Sequence, residues 1–209
     1  MKPTTTYPVQ FSVDYPDRAL NRVTTAFRII LLIPIAILLA AVSGGGGWDE
    51  PGGGYTAAGA GGLLVFAPLL MIVFRQKYPR WWFDWNIELQ RFASRVGIYL
   101  ALMDDRYPAT DDRQSVHLEY LYPDVKRDLN RWLPLVKWFL AIPHYIVLAV
   151  LWIAGVVTII ISWFAILFTG RYPESMSRFV VGLIRWTNRV IAYALLLATD
   201  EYPPFRLSA

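Results

Sequence analysis

From Tyr145 to Phe168 the chain reads YIVLAVLWIAGVVTIIISWFAILF, without one charged residue. About twenty apolar residues are enough to cross a bilayer core as a helix, so this stretch limits the chain to folds that bury or embed a long apolar helix. A second run, AFRIILLIPIAILLAAV from Ala26 to Val42, has no charge after Arg28. The whole chain agrees with these runs. Hydrophobic residues make up 56% and charged residues 17% of 209, more apolar surface than one soluble domain of this size hides. We therefore expect an integral membrane protein. No short apolar core with a basic leader and a small-residue cleavage site opens the sequence, so no cleavable signal is expected.

The absence of cysteine excludes disulfides, thiolate metal sites, iron–sulfur clusters and cysteine nucleophiles. The net charge of +4 fits membrane orientation and anionic lipid, and with no nucleic-acid motif beside it we expect no nucleic-acid partner.

The sequence says much of itself twice. Tyr15-Pro16-Asp17 returns as Tyr122-Pro123-Asp124, Leu20-Asn21-Arg22 as Leu129-Asn130-Arg131, and Pro34 as Pro143. Phe74 and Tyr78-Pro79 match Phe168 and Tyr172-Pro173; Arg91, Arg95 and Tyr99 match Arg185, Arg189 and Tyr193; Tyr107-Pro108 matches Tyr202-Pro203. The order is kept throughout, which argues for a tandem repeat, with one unit at 7–110 and the other at 115–206. Each unit opens with a short alternating stretch of strand period, followed by a Tyr-Pro-Asp turn. An apolar helix A holding Pro34 or Pro143 comes next, where proline predicts a kink. A connection, a second apolar helix B, a Tyr-Pro, an amphipathic helix C and a closing Tyr-Pro complete the unit.

In the first unit the A–B connection is the glycine-rich Ser43–Gly62, which reads as a linker because it lacks the Gly-Lys-Ser/Thr end of a phosphate loop. In the second unit we expect a tight turn around Trp152 to Gly155, since Gly155 falls opposite Gly61. The fold class this predicts is an all-α integral membrane protein with four spans in two helical hairpins, plus strands near 9–15, 116–121 and 204–208. Helix C, at 80–103 and 174–198, carries a stripe of Asp84, Glu88, Arg91 and Arg95, or Arg178, Gly182, Arg185 and Arg189, flanked by apolar and aromatic residues. Such a helix suits the interface plane. If it spanned instead, its arginines would each cost about 2.5–3.5 kcal/mol and the repeats would be inverted.

Basic residues flank the apolar helices, whereas Ser43–Gly62 carries only Asp49 and Glu50. Positive residues mark the cytoplasmic side, so the expectation is a multi-pass membrane protein with both termini cytoplasmic. The recurrent Tyr-Pro marks where the chain leaves or re-enters the membrane surface, proline ending the helix and tyrosine preferring the interface.

The segments YPVQFSVDYPDRALNR, FTGRYPESMSRFVVGLIRW and TDEYPPFRLS resemble the bacterial membrane family catalogued as domain of unknown function 4389, present here as two copies. The second copy is the better match. The first has FRQKYPRWW where the family has a Phe-Thr-Gly box, and DRYPAT in place of the Pro-Pro-Phe close. The resemblance implies an architecture and carries no catalytic residue.

Chemistry is then sought in the residues. His144, beside Pro143 in an apolar segment, is a weak candidate ligand for haem or chlorophyll magnesium. No histidine and carboxylate spacing suits zinc. Asp104 and Asp105, with Asp200 and Glu201, stand at the end of helix C, where the macrodipole disfavours anions. Arginine is the expected partner and a metal the weaker candidate. Arg91, Arg95, Arg185 and Arg189 are candidates for anionic phospholipid, and Trp152 and Trp163 for contact with a protein partner at membrane depth. No other cofactor is expected. The reading reached is a non-catalytic accessory, scaffold or assembly subunit of a larger membrane complex, with membrane lipid and other subunits or a second copy as partners. A small duplicated transporter or channel is the alternative, and a membrane enzyme a third class for which no nucleophile, metal site or acid–base pair is visible.

Overall fold

The computed structural model describes residues 7–16, 19–43, 66–110, 112 and 114–208; most of the glycine-rich connection lies outside them. In chain order the elements are β1 (Val9–Val13), α1 (Arg22–Ser43), α2 (Phe66–Arg75), α3 (Arg80–Leu100), β2 (Val116–Tyr120), α4 (Val125–Asp128), α5 (Pro134–Leu140), α6 (Ile142–Thr169) and α7 (Glu174–Ala194). The described chain is mostly helical, with one small two-stranded sheet.

The alternating stretches expected as strands pair with each other. β1 and β2 run antiparallel, with Val9 opposite Tyr120, Phe11 opposite Leu118 and Val13 opposite Val116. Val9, Phe11, Val116 and Leu118 are buried, Val13 and Tyr120 partly so, and the residues between them exposed, the pattern that period-2 alternation dictates. The central pair, Phe11 and Leu118, joins two residues that the sequence alignment makes counterparts. No strand forms at 204–208, which is irregular and is held instead by side chains of α7.

The helices form two further layers. β1 packs on α7 and β2 on α3, while α6 packs on α7, α1 on α3, and α1 also on α6. The amphipathic helices α3 and α7 are thus the middle layer, with the sheet on one side and the apolar helices on the other. α6 turns Ala141 of its cap, His144, Leu148, Gly155, Ser162 and Ile166 inward at helical spacing, and the rest of its surface is apolar and largely exposed. α3 and α7 stop at Leu100 and Ala194, short of the expected 103 and 198. Leu102 and Leu197, counterparts in the alignment, follow with φ of 67° and 55°, the left-handed turn that ends many helices.

Two expectations about the apolar helices are corrected. α6 runs unbroken for 28 residues through Gly155, so one long helix stands where a hairpin was expected. The glycine serves close packing: a Cβ there would lie 2.7 Å from Leu183 Cδ2. Pro143 does not kink a helix either. The chain breaks at Ala141, between α5 and α6, and Pro143 takes a first-turn position where its missing N–H costs nothing; Pro34 lies inside α1. Among the described residues two helices, Arg22–Ala40 and Ile142–Thr169, are long and apolar enough to cross a membrane.

Candidate functional site

The buried polar groups gather where α1 and α5 meet the ends of α3 and α7. Arg28 on α1 is 1% exposed and Lys137 on α5 is 0% exposed. Both belong to the basic residues that flank the apolar helices in the sequence. Neither reaches water. Arg28 pairs with Asp105, donates Nη1 to the carbonyls of Tyr99 and Asp104 at 2.9 and 2.8 Å, and lies over the Tyr99 ring at 4.5 Å. Lys137 Nζ pairs with Asp200 at 2.6 Å, donates to the Thr199 carbonyl at 2.7 Å, and lies 5.2 Å from the Tyr193 ring centre. Every member of one cluster is the sequence counterpart of a member of the other. Each acid also accepts a backbone N–H at the start of a helix-A segment, from Asn21 at 2.9 Å and from Asn130 at 2.5 Å. Burial pushes the Lys137 ammonium below its usual range, and Asp200 acts against that shift.

The remaining acids are placed differently. Asp104 accepts from Arg106 at 2.9 Å and from Ser115 Oγ at 2.7 Å. Burial alone would raise its carboxyl, but these hydrogen bonds outweigh it and hold the group below the usual range. Glu201 is exposed, and its carbonyl accepts from Tyr7. Among the described residues no three histidine or acidic side chains converge as a metal site would require. Arginine and lysine are the partners found.

The four arginines expected at lipid each hold backbone carbonyls of the fold. Arg91 donates Nε to the Leu118 carbonyl and Arg185 donates Nε to the Phe11 carbonyl, both at 2.9 Å. Each reaches the central strand residue of the other segment. Arg95 holds the carbonyls of Ala109 and Thr110; Arg189, 2% exposed, holds those of Arg206 and Ser208. The stripe is therefore a set of brackets from helix C to strand and closing segment, and Arg189 does not project toward a bilayer.

His144 is fully buried in an aromatic box. Its Nδ1 accepts from Trp186 Nε1 at 3.0 Å, Phe205 stacks on it at 3.9 Å and 15°, and the Tyr202 ring lies 4.8 Å away. With Nδ1 accepting, the ring proton sits on Nε2, so in this tautomer neither nitrogen offers a free lone pair to a metal. Trp152 and Trp163 are likewise engaged internally. Trp152 Nε1 donates to Thr187 Oγ1 at 3.2 Å on α7, and Trp163 Nε1 to the Thr25 carbonyl at 3.1 Å on α1.

Sequence reading missed the tyrosine cross-links. Tyr15 donates its hydroxyl to the Tyr172 carbonyl at 2.6 Å, and Tyr122 to the Tyr78 carbonyl at 2.5 Å. In both, the tyrosine of the opening Tyr-Pro of one segment bonds the Tyr-Pro before helix C of the other. The doubled Tyr-Pro-Asp was the available signal. No curated protein and no solved structure matches the chain. Residues 132–206, which contain Lys137, Asp200 and the whole aromatic box, match the family model described as Domain of unknown function (DUF4389).

Proposed function

We propose that this chain is a tandem pair of DUF4389 units, folded about an internal two-fold axis, that serves as a non-catalytic accessory, scaffold or assembly subunit in the bacterial cytoplasmic membrane. The observation that carries the reading is the contrast between its two kinds of surface. Arg28 and Lys137 are turned inward and paired, whereas large apolar side chains of α1, α5 and α6 such as Ile29, Phe139, Ile153 and Phe168 are more than half exposed. Leaving one such side chain in water forfeits about 1.5–3 kcal/mol, and an exposed apolar surface this wide marks a membrane or protein contact.

The exchange of contacts supports the duplication. Arg91 with Arg185, Tyr15 with Tyr122, and Arg28 with Lys137 make equivalent bonds at equivalent places, and the first two pairs cross from one unit to the other. Corresponding residues meet at the centre: Phe11 faces Leu118, and Ser94 lies 3.5 Å from Asn188. Arg28 and Lys137 tie each unit to itself, and Arg91 and Arg185 tie the units to each other, so these charges are engaged in structure, which fits a scaffold.

Gentle detergent extraction, followed by sizing and protein identification, tests the role. A companion protein or a second copy is expected to travel with the chain. A stable monomer with no companion would defeat the scaffold reading, and solute flux by the purified chain in liposomes would replace it with a transporter.

A further inference from the structure

The layers fix how the apolar helices stand relative to the sheet. Gly155 is midway along α6, and Leu183 of α7 lies directly on it. Two residues further along α7, Arg185 bonds the Phe11 carbonyl at the centre of β1. α7 runs antiparallel to α6, Ser162 touching Met176 and Trp152 touching Thr187. A line from the middle of α6 through α7 therefore ends on the middle of the sheet.

If α6 stood along the bilayer normal, the sheet would sit level with the bilayer midplane. Its outward face carries Gln10, Ser12, His117 and Glu119. A charged side chain at that depth costs about 2.5–3.5 kcal/mol even on insertion scales, and the open edges of a two-stranded sheet have no place in hydrocarbon. With α6 lying flat both difficulties vanish. A helix is about 10 Å across and half a bilayer core about 15 Å deep, so one layer of helices fits one leaflet. The length of α6, about 42 Å at 1.5 Å per residue, need not then match a core of about 30 Å.

We infer that the molecule seats flat in a single leaflet, with α1, α5 and α6 among the acyl chains of phospholipid, α3 and α7 at headgroup level and the sheet in water. The occupant of the exposed apolar face is thus the hydrocarbon of one monolayer. The exposed Trp132 just before α5, Trp138 on it and Trp81 and Trp85 on α3 are of the type that anchors at a membrane interface. This inference rests on the membrane reading above and changes its topology: the chain enters the membrane without crossing it.

Because the native chain has no cysteine, single variants report cleanly. Ile142→Cys, Ile153→Cys and Phe164→Cys lie on one exposed face of α6, since eleven residues return to nearly the same direction, and consecutive sites are about 16.5 Å apart along the axis. Spin labels at the three sites, in the full chain reconstituted in phosphatidylethanolamine and phosphatidylglycerol vesicles, give immersion depth from oxygen against nickel-chelate collisions. The expected result is three equal depths within one leaflet, with Glu119→Cys water-accessible. A label at 153 deeper than both others by 10 Å or more would overturn the flat seating and restore a crossing helix. Water exposure of all three would instead defeat the membrane reading itself.

Discussion

Asp200→Asn isolates the buried cation Lys137. The substitution keeps the shape of the side chain and an oxygen for the Asn130 N–H, but it leaves Lys137, whose side chain is wholly buried, without its counter-charge. Two routes remain. The ammonium stays charged, at the 3–5 kcal/mol typical of a broken buried pair, or it sheds its proton. Starting from a usual value near 10.4, deprotonation costs about 4.6 kcal/mol at pH 7 and about 1.9 kcal/mol at pH 9. The cheaper route wins, so the penalty is capped and the cap falls as pH rises. The sign agrees with the native group: burial already lowers the folded value, so between it and the unfolded value the unfolded chain binds more protons and stability rises with pH. Removing Asp200 extends that window downward. Asp105→Asn is the control, because the Arg28 guanidinium cannot lose its proton. Thermal unfolding in detergent, followed by tryptophan fluorescence, should show Asp200→Asn lowering Tm by about 6–18 °C at pH 7, at roughly 2–4 °C per kcal/mol, and by no more than about two thirds as much at pH 9. Asp105→Asn should show an unchanged deficit across the same range. A deficit for Asp200→Asn that is pH-independent, or under about 1 kcal/mol, would refute the assignment of Lys137 as a charge held in place by Asp200.

Glycine replacements separate packing from propensity. Gly97→Ala, with nothing within 4 Å of the new Cβ, should stabilise α3 by about 1 kcal/mol. Gly182→Ala should destabilise in the same assay despite the same helical gain, because its Cβ would meet Leu207 Cβ at 2.8 Å and the Leu207 carbonyl oxygen at 2.9 Å. The Asp104 carboxyl, held low by Arg106 and Ser115, contributes stability that is present above the unfolded value near 3.9 and is lost as pH falls through the folded value. An acid titration should therefore show Asp104→Asn less stable than the native chain at pH 6 and converging with it at low pH, and curves that stay parallel would contradict this.

The strands were legible because alternation at Val9 to Val13 and Val116 to Tyr120 has one physical reading once a face is buried. That they pair with each other was not, since pairing joins residues far apart in the chain. Gly155 was misread for a general reason: a glycine in an apolar run permits a turn and permits a close helix contact, and only Leu183, brought in by α7, decides between them. Arg28 and Lys137 looked like orienting flanks because the acids that neutralise them, Asp105 and Asp200, lie at the far end of helix C. The arginine stripe is legible as a stripe, but the backbone carbonyls it holds are not. A polar face looks the same in sequence whether it meets headgroups or, as at Arg91 and Arg185, the carbonyls of a strand.

The central claim is that the apolar helix layer, and that layer alone, lies in hydrocarbon. Reconstitution with phospholipid carrying a carbene precursor on its acyl chain, followed by photolysis and peptide mapping, measures it directly. The account predicts labelling concentrated on the exposed residues of α1, α5 and α6, such as Ile29, Phe139, Ile146 and Ile153, with β1, β2 and the Glu88 face of α3 unlabelled. Label on the sheet, or label spread evenly over all three layers, would contradict it.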